Sequence, residues 1–551
     1  MKYISNLVAG LLTFAALTTS CEHHFLDTAP TSAVSTTSAF ATTDNVKMVV
    51  NSLAEMMCTQ HYDAYSQGCC GENRIRSIYE EYLSQEFVYN QCAPGWDTWM
   101  NGEEFPQNNN SYGTYPWSYY YEIIVDANSI INNVDAADGP IDEKQFYKAQ
   151  ALTFRAYAYT QLVKYYAKAW KNSNNGACGA IPRRVDESTS ALPVSTLAEI
   201  YTQIYDDCDE AVDLFTQSGI DRAPGEVWLP NLNVAYAVKA RAALNREDYG
   251  EALRCAKLAR AGYPLMSNDA YASGFCTPTS EWLFGSYAGE EENMWYWTFG
   301  TQFACNGYYA SRSQYGAGAI EKPLTDIIPD NDARKAMFLT VDKFPGYDFS
   351  YVPPSAAAPT GSTIFNQTMG YFLDDDLWDD AEAYIASRTP AGLAAAYATG
   401  YFYMGAQLKF WVFGSPGLSY LCFMRSSEMV LIEAEANYFL GNTTDAQNAL
   451  VELNATSGRQ PGYTCTKTGD DLFTEIRNYR ELELWGEGFN WYDHKRWNLP
   501  IVRKSFADGG NCHTATSLTI PVDAAHNWWT YCIPETETDY NDQLTKTSNL
   551  E

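Results

Sequence analysis

Two glutamates in the last fifth of the chain have the spacing of a catalytic pair. Glu483 and Glu487 lie four residues apart at the end of a predicted helix. A glycosidase needs two carboxylates about 5 to 10 Å apart across its sugar. The chain holds 67 acidic residues, however, so this spacing is expected many times over. The pair alone therefore does not establish a catalytic site.

A group of aspartates around Trp378 raises the question of a metal ion. Asp374 and Asp376 are candidate Ca²⁺ ligands, because carboxylate oxygens are what Ca²⁺ prefers. The spacing lacks the full calcium-loop pattern and its glycine. A solvated acidic turn is the preferred interpretation. The six histidines form no zinc-binding pattern, and no cofactor is predicted.

Aromatic residues in polar, irregular stretches are the most informative candidates for ligand binding. Flat rings stack on the C–H faces of sugars, and amide, carboxylate and guanidinium groups bind the hydroxyls. A peptide groove would use similar rings, so aromaticity alone does not separate the two ligands. The predicted binding residues are Trp96, Trp99, Asn101, Tyr112, Trp295, Trp297, Tyr308 and Tyr309, with Arg74 and Arg76 as weaker candidates for hydroxyl or carboxylate contact.

The N-terminus reads as an export signal that ends at a cysteine. An apolar run from about Ile4 to Leu17 is too short to span a membrane, and Cys21 follows three small residues. A plain signal peptide with an incidental cysteine is one interpretation. The preferred one is a lipoprotein signal over residues 1–20 and acylation of Cys21, since several acyl chains give stable anchoring.

The charge balance of the chain argues against two classes of binding partner. With 36 basic and 67 acidic residues, the chain has a formal charge of −31. Nucleic acid and anionic lipid both require a basic face, so neither is a predicted partner. A highly anionic glycan is disfavoured for the same reason. The cysteines show no zinc spacing, and no disulfide is assigned.

Helical periodicity dominates the elements that must position these residues. Apolar stripes with three- and four-residue spacing predict helices over Trp117–Val134, Phe146–Ala169, Thr196–Phe215, Leu232–Leu244 and Tyr249–Arg260. Thr196 and Glu199 predict a capping box. The alanine-rich pair around residues 241–259, and a second pair over Ser426–Asn454 that turns at Gly441, are typical of tetratricopeptide-like hairpins, which must stack to bury their apolar faces.

Two long stretches lack this periodicity. Residues 59–116 and 271–417 are rich in Gly, Asn, Pro, Ser and aromatics, and Met294–Gly300 alternates like a strand that would place Trp295 and Trp297 on one face. Compact domains seldom carry such long irregular stretches without a functional reason. The helical scaffold is predicted mainly over residues 117–260 and 420–500, within one domain over residues 21–551.

Six sequence blocks along the mature chain form a specific pattern when taken in order. The blocks are FLDTAPTSAVSTTSAFAT (Phe25–Thr42), YYYEIIVDANSIINN (Tyr119–Asn133), RAYAYTQLVKYYA (Arg155–Ala167), AIPRRVDESTSALPVSTLAEIYTQIYDDCDEAV (Ala180–Val212), RSSEMVLIEAEA (Arg425–Ala436) and ELWGEGFNWYDHKRW (Glu483–Trp497). Together they resemble the SusD/RagB family of Bacteroidetes outer-membrane lipoproteins. The last block departs from the family pattern at Asn490, where Arg is usual, and at His494, where Leu is usual.

The resemblance implies a mainly α-helical, SusD-like fold. In that fold four tetratricopeptide-like helix pairs support a loop-rich ligand-binding part with a few short strands. It also implies that the Glu483–Trp497 block is structural, its carboxylates paired with basic residues in the core. Family members are not enzymes; they form a hinged lid over a SusC-like TonB-dependent transporter at the cell surface.

Three functions follow from these observations. The first is a surface lipoprotein that captures oligosaccharides and passes them to the transporter. The second is a peptide-capturing lipoprotein of the same architecture. The third and most distant is a surface glycoside hydrolase using Glu483 and Glu487. The sequence does not name the glycan or its linkage.

Overall fold

The computed structural model describes most of the chain. Its first described residue is Thr36, so the predicted signal sequence and Cys21 lie outside it. Several stretches of the two loop-rich regions lie outside it as well. The described ranges are 36–60, 69–88, 96–289, 297–305, 307, 318–348, 365–366, 371–372, 375–388, 405–412, 418–512 and 514–551.

Long helices form the scaffold. In chain order they are α1 (Thr43–Met56), α2 (Ser111–Asn133), α3 (Ile141–Tyr166), α4 (Leu197–Ser218), α5 (Leu232–Asn245), α6 (Tyr249–Ala259), α7 (Asp375–Arg388), α8 (Ser426–Phe439), α9 (Thr443–Val451), α10 (Gly469–Glu483) and α11 (Asn490–Trp497). Six of the predicted helices, α2 to α6 and α8, agree with these bounds to within a few residues.

The helix starts follow local chemistry. Thr196 and Glu199 form the predicted capping box at the start of α4, since each side chain bonds the other residue's backbone N–H. The Asn231 side chain accepts from the Val234 N–H at the start of α5. After α8 the chain reverses at Gly441, whose φ of +79° is readily available only to glycine.

Neighbouring helices pack in a continuous series that runs from α2 through α6 and on to α8, α9 and α10. Helix α5 packs closely against α6, and α8 against α9, as expected for hairpins that bury their apolar faces together. Cys208 on α4 and Cys255 on α6 are buried, as their helical patterns predict. The fold is therefore mainly α-helical, as predicted, and the resemblance of the hairpins to tetratricopeptide repeats stays a prediction.

The strands are short and pair two by two. They are β1 (Phe87–Val88), β2 (Trp282–Gly285), β3 (Ala319–Ile320), β4 (Phe365–Asn366), β5 (Tyr371–Phe372), β6 (Cys422–Arg425), β7 (Ile501–Val502) and β8 (Thr519–Ile520). The antiparallel pairs are β1 with β3, β2 with β6, β4 with β5, and β7 with β8. The β2–β6 pair joins the second loop-rich region to the start of α8.

Shorter helical turns fill the loop-rich parts. They include Glu72–Arg74, the π-helical turn Ile75–Glu80, Trp96–Met100, Asn268–Tyr271, Phe299–Gln302, Lys322–Asp326, Ala333–Met337 and Val341–Lys343. The strand predicted over Met294–Gly300 is wrong in its described part, because the Thr298 side chain caps a helix that starts at Phe299. The acidic turn predicted around Trp378 is also corrected, since Asp375–Arg388 is helix α7.

The loop-rich part has a small core of its own. Leu339, Phe344, Ile385 and Trp411 pack together there, separate from the main core of the helical scaffold. Helix α7 contributes Ile385 to this cluster, which explains why its apolar stripe is buried. Within the described ranges, none of the helices is long and apolar enough to cross a membrane.

Candidate functional site

The two loop-rich regions meet along the segment 69–77. Asn73 links them: its side-chain oxygen accepts from the Phe299 N–H at 2.8 Å, and its amide nitrogen donates to the Cys58 carbonyl at 3.3 Å. The Cys70 thiol lies 3.0 Å from the Trp297 carbonyl oxygen, which its S–H faces. These contacts bring Arg74 and Trp297 into one neighbourhood.

Arg74 and Trp297 are both half-buried, so part of each residue reaches solvent. The Nε atom of Arg74 is shielded from solvent and has no hydrogen-bond partner among the described residues. The Arg74 guanidinium also forms no ion pair with any described carboxylate. Only the terminal guanidinium nitrogens of Arg74 could therefore donate to an incoming hydroxyl or carboxylate group, because Nε is shielded.

Two predicted site residues belong to the core instead. Trp99 is fully buried: its ring packs edge-on against Tyr79 at 4.9 Å, and its Nε1 donates to the Tyr531 hydroxyl at 3.2 Å. Arg76 is only 6% exposed, and its Nε donates to Glu80 at 2.7 Å. Neither side chain reaches a solvent-facing surface, so the prediction of direct ligand contact by Trp99 and Arg76 is corrected.

Asn101 is half-buried and holds the short helix Trp96–Met100 in place. Its amide nitrogen donates to the Ala515 carbonyl at 3.1 Å. Trp96 lies in that short helix and Tyr112 in the first turn of α2, rather than in irregular chain, and their side chains are outside the described part. Trp295, Tyr308, Tyr309 and Asp374 are outside the described residues. Asp376 is exposed in the first turn of α7.

The suspected catalytic pair is instead the centre of a buried ion network. Glu483 and Glu487 both bind the Arg425 guanidinium, at distances of 2.7 to 2.9 Å. Glu487 also accepts from the Lys409 ammonium at 2.7 Å, and Glu483 accepts from Arg334 at 2.9 Å. We define the buried network as Glu281, Asp332, Arg334, Lys409, Arg425, Glu483 and Glu487, each at most 3% exposed.

The electrostatics of this network oppose acid catalysis. Burial raises the pKa of Glu483, but Arg459, Arg425 and Arg334 outweigh it and lower the pKa to about 2. Burial likewise raises the pKa of Glu487, yet Arg425 and Lys409 hold it below its usual range. Both groups stay ionised and saturated with donors, so neither can deliver a proton to a glycosidic oxygen.

The last sequence block keeps its ion pairs, and the two residues that depart from the family pattern each have a polar partner. Asp493 binds Arg480 at 2.6 Å and Arg496 at 2.8 Å, which is the ion pairing expected there. Asn490 accepts from the Gln85 N–H at 2.8 Å and so ties α11 to the first loop-rich region. His494 contacts Glu481 at 3.1 Å, which gives the imidazole a polar partner in the core.

Comparisons with known proteins agree with this architecture. Residues 24–244 match a family model described as SusD-like, "starch-binding associating with outer membrane", and residues 414–549 match the model of the SusD family. Together the two stretches span more than half of the chain. Among curated proteins, no match was found.

Solved structures with the same fold come from Bacteroides species. A SusD-like carbohydrate binding protein from Bacteroides vulgatus is 21% identical with a TM-score of 0.68, and covers 92% of this chain and 98% of its own. A SusD superfamily protein from Bacteroides thetaiotaomicron is 19% identical with a TM-score of 0.64, over 92% and 99% of the two chains. At these identities the likeness concerns the fold.

Proposed function

The chain belongs to the SusD/RagB family, and from that premise we propose that it is a cell-surface lipoprotein that captures oligosaccharides for a SusC-like TonB-dependent outer-membrane transporter. In this proposal residues 1–20 are removed, acylated Cys21 anchors the chain, and residues 21–551 form one binding domain. The family relationship supplies the outer-membrane setting. The role is capture without turnover.

The observation that carries the proposal is the meeting point of the two loop-rich regions. There the Arg74 guanidinium has no described hydrogen-bond or ion-pair partner, and the Cys70 thiol contacts the backbone carbonyl of the half-buried Trp297. A guanidinium and an indole on two adjoining segments suit a ligand with both hydroxyls and C–H faces. The hydrogen bond between the Asn73 side chain and the Phe299 backbone holds the two segments together before ligand arrives.

The glycosidase alternative loses its motivating observation. Glu483 and Glu487 are committed to Arg425, Lys409 and Arg334 within the buried network. The peptide-capturing alternative keeps the same site, because a guanidinium also binds a peptide carboxylate. It is therefore an outcome that the experiment must separate from glycan capture.

The first experiment is a binding screen of the protein lacking residues 1–21. Immobilised polysaccharides, host glycans and peptide digests are tested in parallel, and hits are measured by calorimetry. We expect saturable binding of one glycan class with no released product. Binding to peptides alone would support the peptide alternative, turnover would revive the hydrolase, and binding to none of the three would count against the proposal.

Matched variants then locate the site. Arg74→Ala and Trp297→Ala are each expected to weaken glycan binding by about tenfold or more, or ~1.4 kcal/mol. Arg477→Ala is the control for Arg74, because Arg477 also has a shielded, unpartnered Nε but lies on α10. Trp528→Ala is the control for Trp297, since Trp528 is half-buried elsewhere. Equal losses in variants and controls would reject the site.

The transporter partnership has a separate test. The full chain is purified from native outer membranes in mild detergent, with a Cys21→Ala chain as the control for anchoring. We expect the wild-type chain to bring down a TonB-dependent transporter and the variant to leave the membrane fraction. Repeated recovery without such a transporter would contradict the proposed delivery step.

A further inference from the structure

A cavity of about 220 Å³ lies in the second loop-rich region, and neither Arg74 nor any residue of the buried network is among its lining residues. Its lining residues come from the end of β3 and the helical turn that follows it, from the turn Val341–Lys343, and from Gly405 and Asn511. All of its lining residues are described. Its polar lining includes the charged residues Lys322, Asp326, Lys335 and Asp342.

The floor of this cavity is built from paired backbone. The Ile320 N–H donates to the Gly405 carbonyl at 3.0 Å, and the Gly405 N–H donates to the Leu339 carbonyl at 2.9 Å. A Cβ at position 405 would lie 2.8 Å from the Ile320 carbonyl oxygen, and the φ of Gly405 is +81°. Glycine is therefore needed at position 405 for the segments that carry Ile320, Leu339 and Gly405 to come this close.

Asn511 fixes one wall. Its side-chain oxygen accepts from the Lys322 N–H at 2.9 Å, and its amide nitrogen donates to the Ile320 carbonyl at 2.9 Å. Asn511 is itself only 2% exposed. The amide thus ties the last residue of β3 to the first residue of the helical turn Lys322–Asp326. The cavity is preformed, which lowers the entropic penalty of binding.

The rim is charged but balanced. Lys322 lies 2.5 Å from Asp326, and these side chains are 43% and 55% exposed. Asp342 lies 3.6 Å from Lys343 and 4.0 Å from Lys335. The aspartates would repel a simple anion, and the lysines would repel a simple cation. Hydroxyl groups suit both, because each can accept from an ammonium and donate to a carboxylate.

An apolar contact completes the rim. Val341 lines the cavity and is 40% exposed, so it offers a surface to C–H groups. The volume is below the roughly 300 to 1,000 Å³ of sites for drug-sized ligands. It matches one sugar ring better than a long oligosaccharide.

We propose that this cavity is a subsite for a single neutral, hydroxyl-rich sugar unit, held between the Lys322–Asp326 pair and Asp342 over Val341. The inference rests on the proposed glycan capture, to which it adds a second contact point besides Arg74 and Trp297. It assigns charge neutrality to the sugar unit bound here. It requires no covalent chemistry.

The test titrates free monosaccharides into the protein lacking residues 1–21. The probes are glucose, galactose, mannose and xylose, with galacturonate and inorganic phosphate as charged controls, followed by ligand-observed NMR at millimolar concentrations. We expect at least one neutral sugar to bind saturably and more tightly than either charged control. Phosphate or galacturonate as the only binder would overturn the proposal, as would no binding at all.

Variants place the binding in the cavity. Asp326→Ala and Asp342→Ala are each expected to weaken the neutral sugar at least fivefold. Asp330→Ala is the matched control, because Asp330 also pairs with Lys335 but does not line the cavity. Val341→Trp fills the cavity without changing charge and should abolish binding, which covers the case in which an aspartate variant fails to fold. Unchanged affinity in Asp326→Ala and Val341→Trp would overturn the subsite.

The outcomes separate this inference from the proposed function. If polysaccharide binding persists and depends on Arg74 while the cavity variants change nothing, the subsite is wrong and glycan capture stands. If neutral monosaccharides bind in the cavity but no polysaccharide is retained, the subsite stands and the proposed capture role fails. Arg477→Ala, which changes neither the Arg74 neighbourhood nor the cavity lining, should leave monosaccharide binding unchanged.

Discussion

The buried network and the cavity rim use the same chemistry in opposite surroundings. In the network Glu487 and Arg425 are at most 3% exposed, and every carboxylate oxygen of Glu487 faces a cation. On the rim Lys322 and Asp326 are about half exposed and pair only with each other among the described residues. The first arrangement has no capacity left for a ligand, while the second retains donors and acceptors.

The difference shows that burial, not residue type, determines how much capacity a charged group retains for further contacts. Removing one partner of a buried pair leaves an uncompensated charge in a low-dielectric core. Removing one partner of an exposed pair leaves a charge that water solvates. The network also joins β6, α10 and residue 334, so its loss would weaken the connection between the scaffold and the loop-rich part.

The largest expected effect is at Glu487. Glu487→Ala should destabilise the fold by about 3–5 kcal/mol, because Lys409 and Arg425 would both lose a buried partner. Denaturant unfolding monitored by circular dichroism measures the change. The control is Asp330→Ala, an exposed rim-side acid that should stay within about 0.5 kcal/mol of wild type. A loss below about 1 kcal/mol at Glu487 would erase the contrast between the two regions.

A second test uses pH. Glu81 is 1% exposed and accepts from the Gly488 N–H at 2.5 Å. Burial is the main cause that raises its pKa to about 8, with Glu80 adding to the rise and Arg76 opposing it. The folded state therefore holds a proton that the unfolded state loses near pH 4.5, so this group lowers stability as pH rises from about 4.5 to 8.

Glu81→Gln should remove part of this decrease of the unfolding free energy with rising pH. The variant is expected to be more stable than wild type at pH 8, and the difference should shrink below pH 5. Unfolding free energies across this range are the measurement, with Asp326→Asn as an exposed control. Glu321 shares the window, since burial raises its pKa to about 8, so some slope remains in the variant. Parallel profiles for Glu81→Gln and wild type would contradict the prediction.

A smaller loss of stability is expected when Arg334 in the buried network is replaced by lysine. Its Nε and Nη2 donate to Asp332 at 2.9 and 2.6 Å, and its Nη1 donates to Glu483 at 2.9 Å. Lysine keeps the charge but not this fork, so Arg334→Lys should cost about 1–3 kcal/mol. Arg254→Lys, which breaks a similar fork to Glu251 on the exposed face of α6, should change unfolding by less than 1 kcal/mol. Equal losses would show that the fork is irrelevant.

The sequence predicts the scaffold better than the site for a physical reason. Helices α2 to α6 depend on local spacing and on caps such as Thr196, which a single stretch of sequence contains. Trp99 looked like a loop aromatic because its core partner, Tyr531, lies more than 400 residues away. Arg76 pairs with Glu80 at the i, i+4 spacing of a helix, but the burial of that turn, which removes Arg76 from ligand contact, depends on distant segments such as the one carrying Cys422.

The cavity had no local signature at all. Lys322, Asp342, Gly405 and Asn511 are brought together by backbone bonds between segments distant in sequence. By contrast, the ion pairing implied for the Glu483–Trp497 block is confirmed at Glu483, Glu487 and Asp493. Family resemblance carried that expectation, whereas spacing alone would have favoured a catalytic pair.

The smallest expected effect sharpens the comparison most directly. A double-mutant cycle on Lys322 and Asp326 should give a coupling of about 0.3–0.5 kcal/mol, the range of an exposed i, i+4 pair. The same cycle on Lys409 and Glu487 should give a coupling several times larger, because both side chains are at most 3% exposed. Unfolding in low and high salt separates the two further, since salt screens only the exposed pair strongly. A rim coupling as large as the buried one would mean that Lys322 and Asp326 serve to hold the fold, and would leave them unavailable to a ligand.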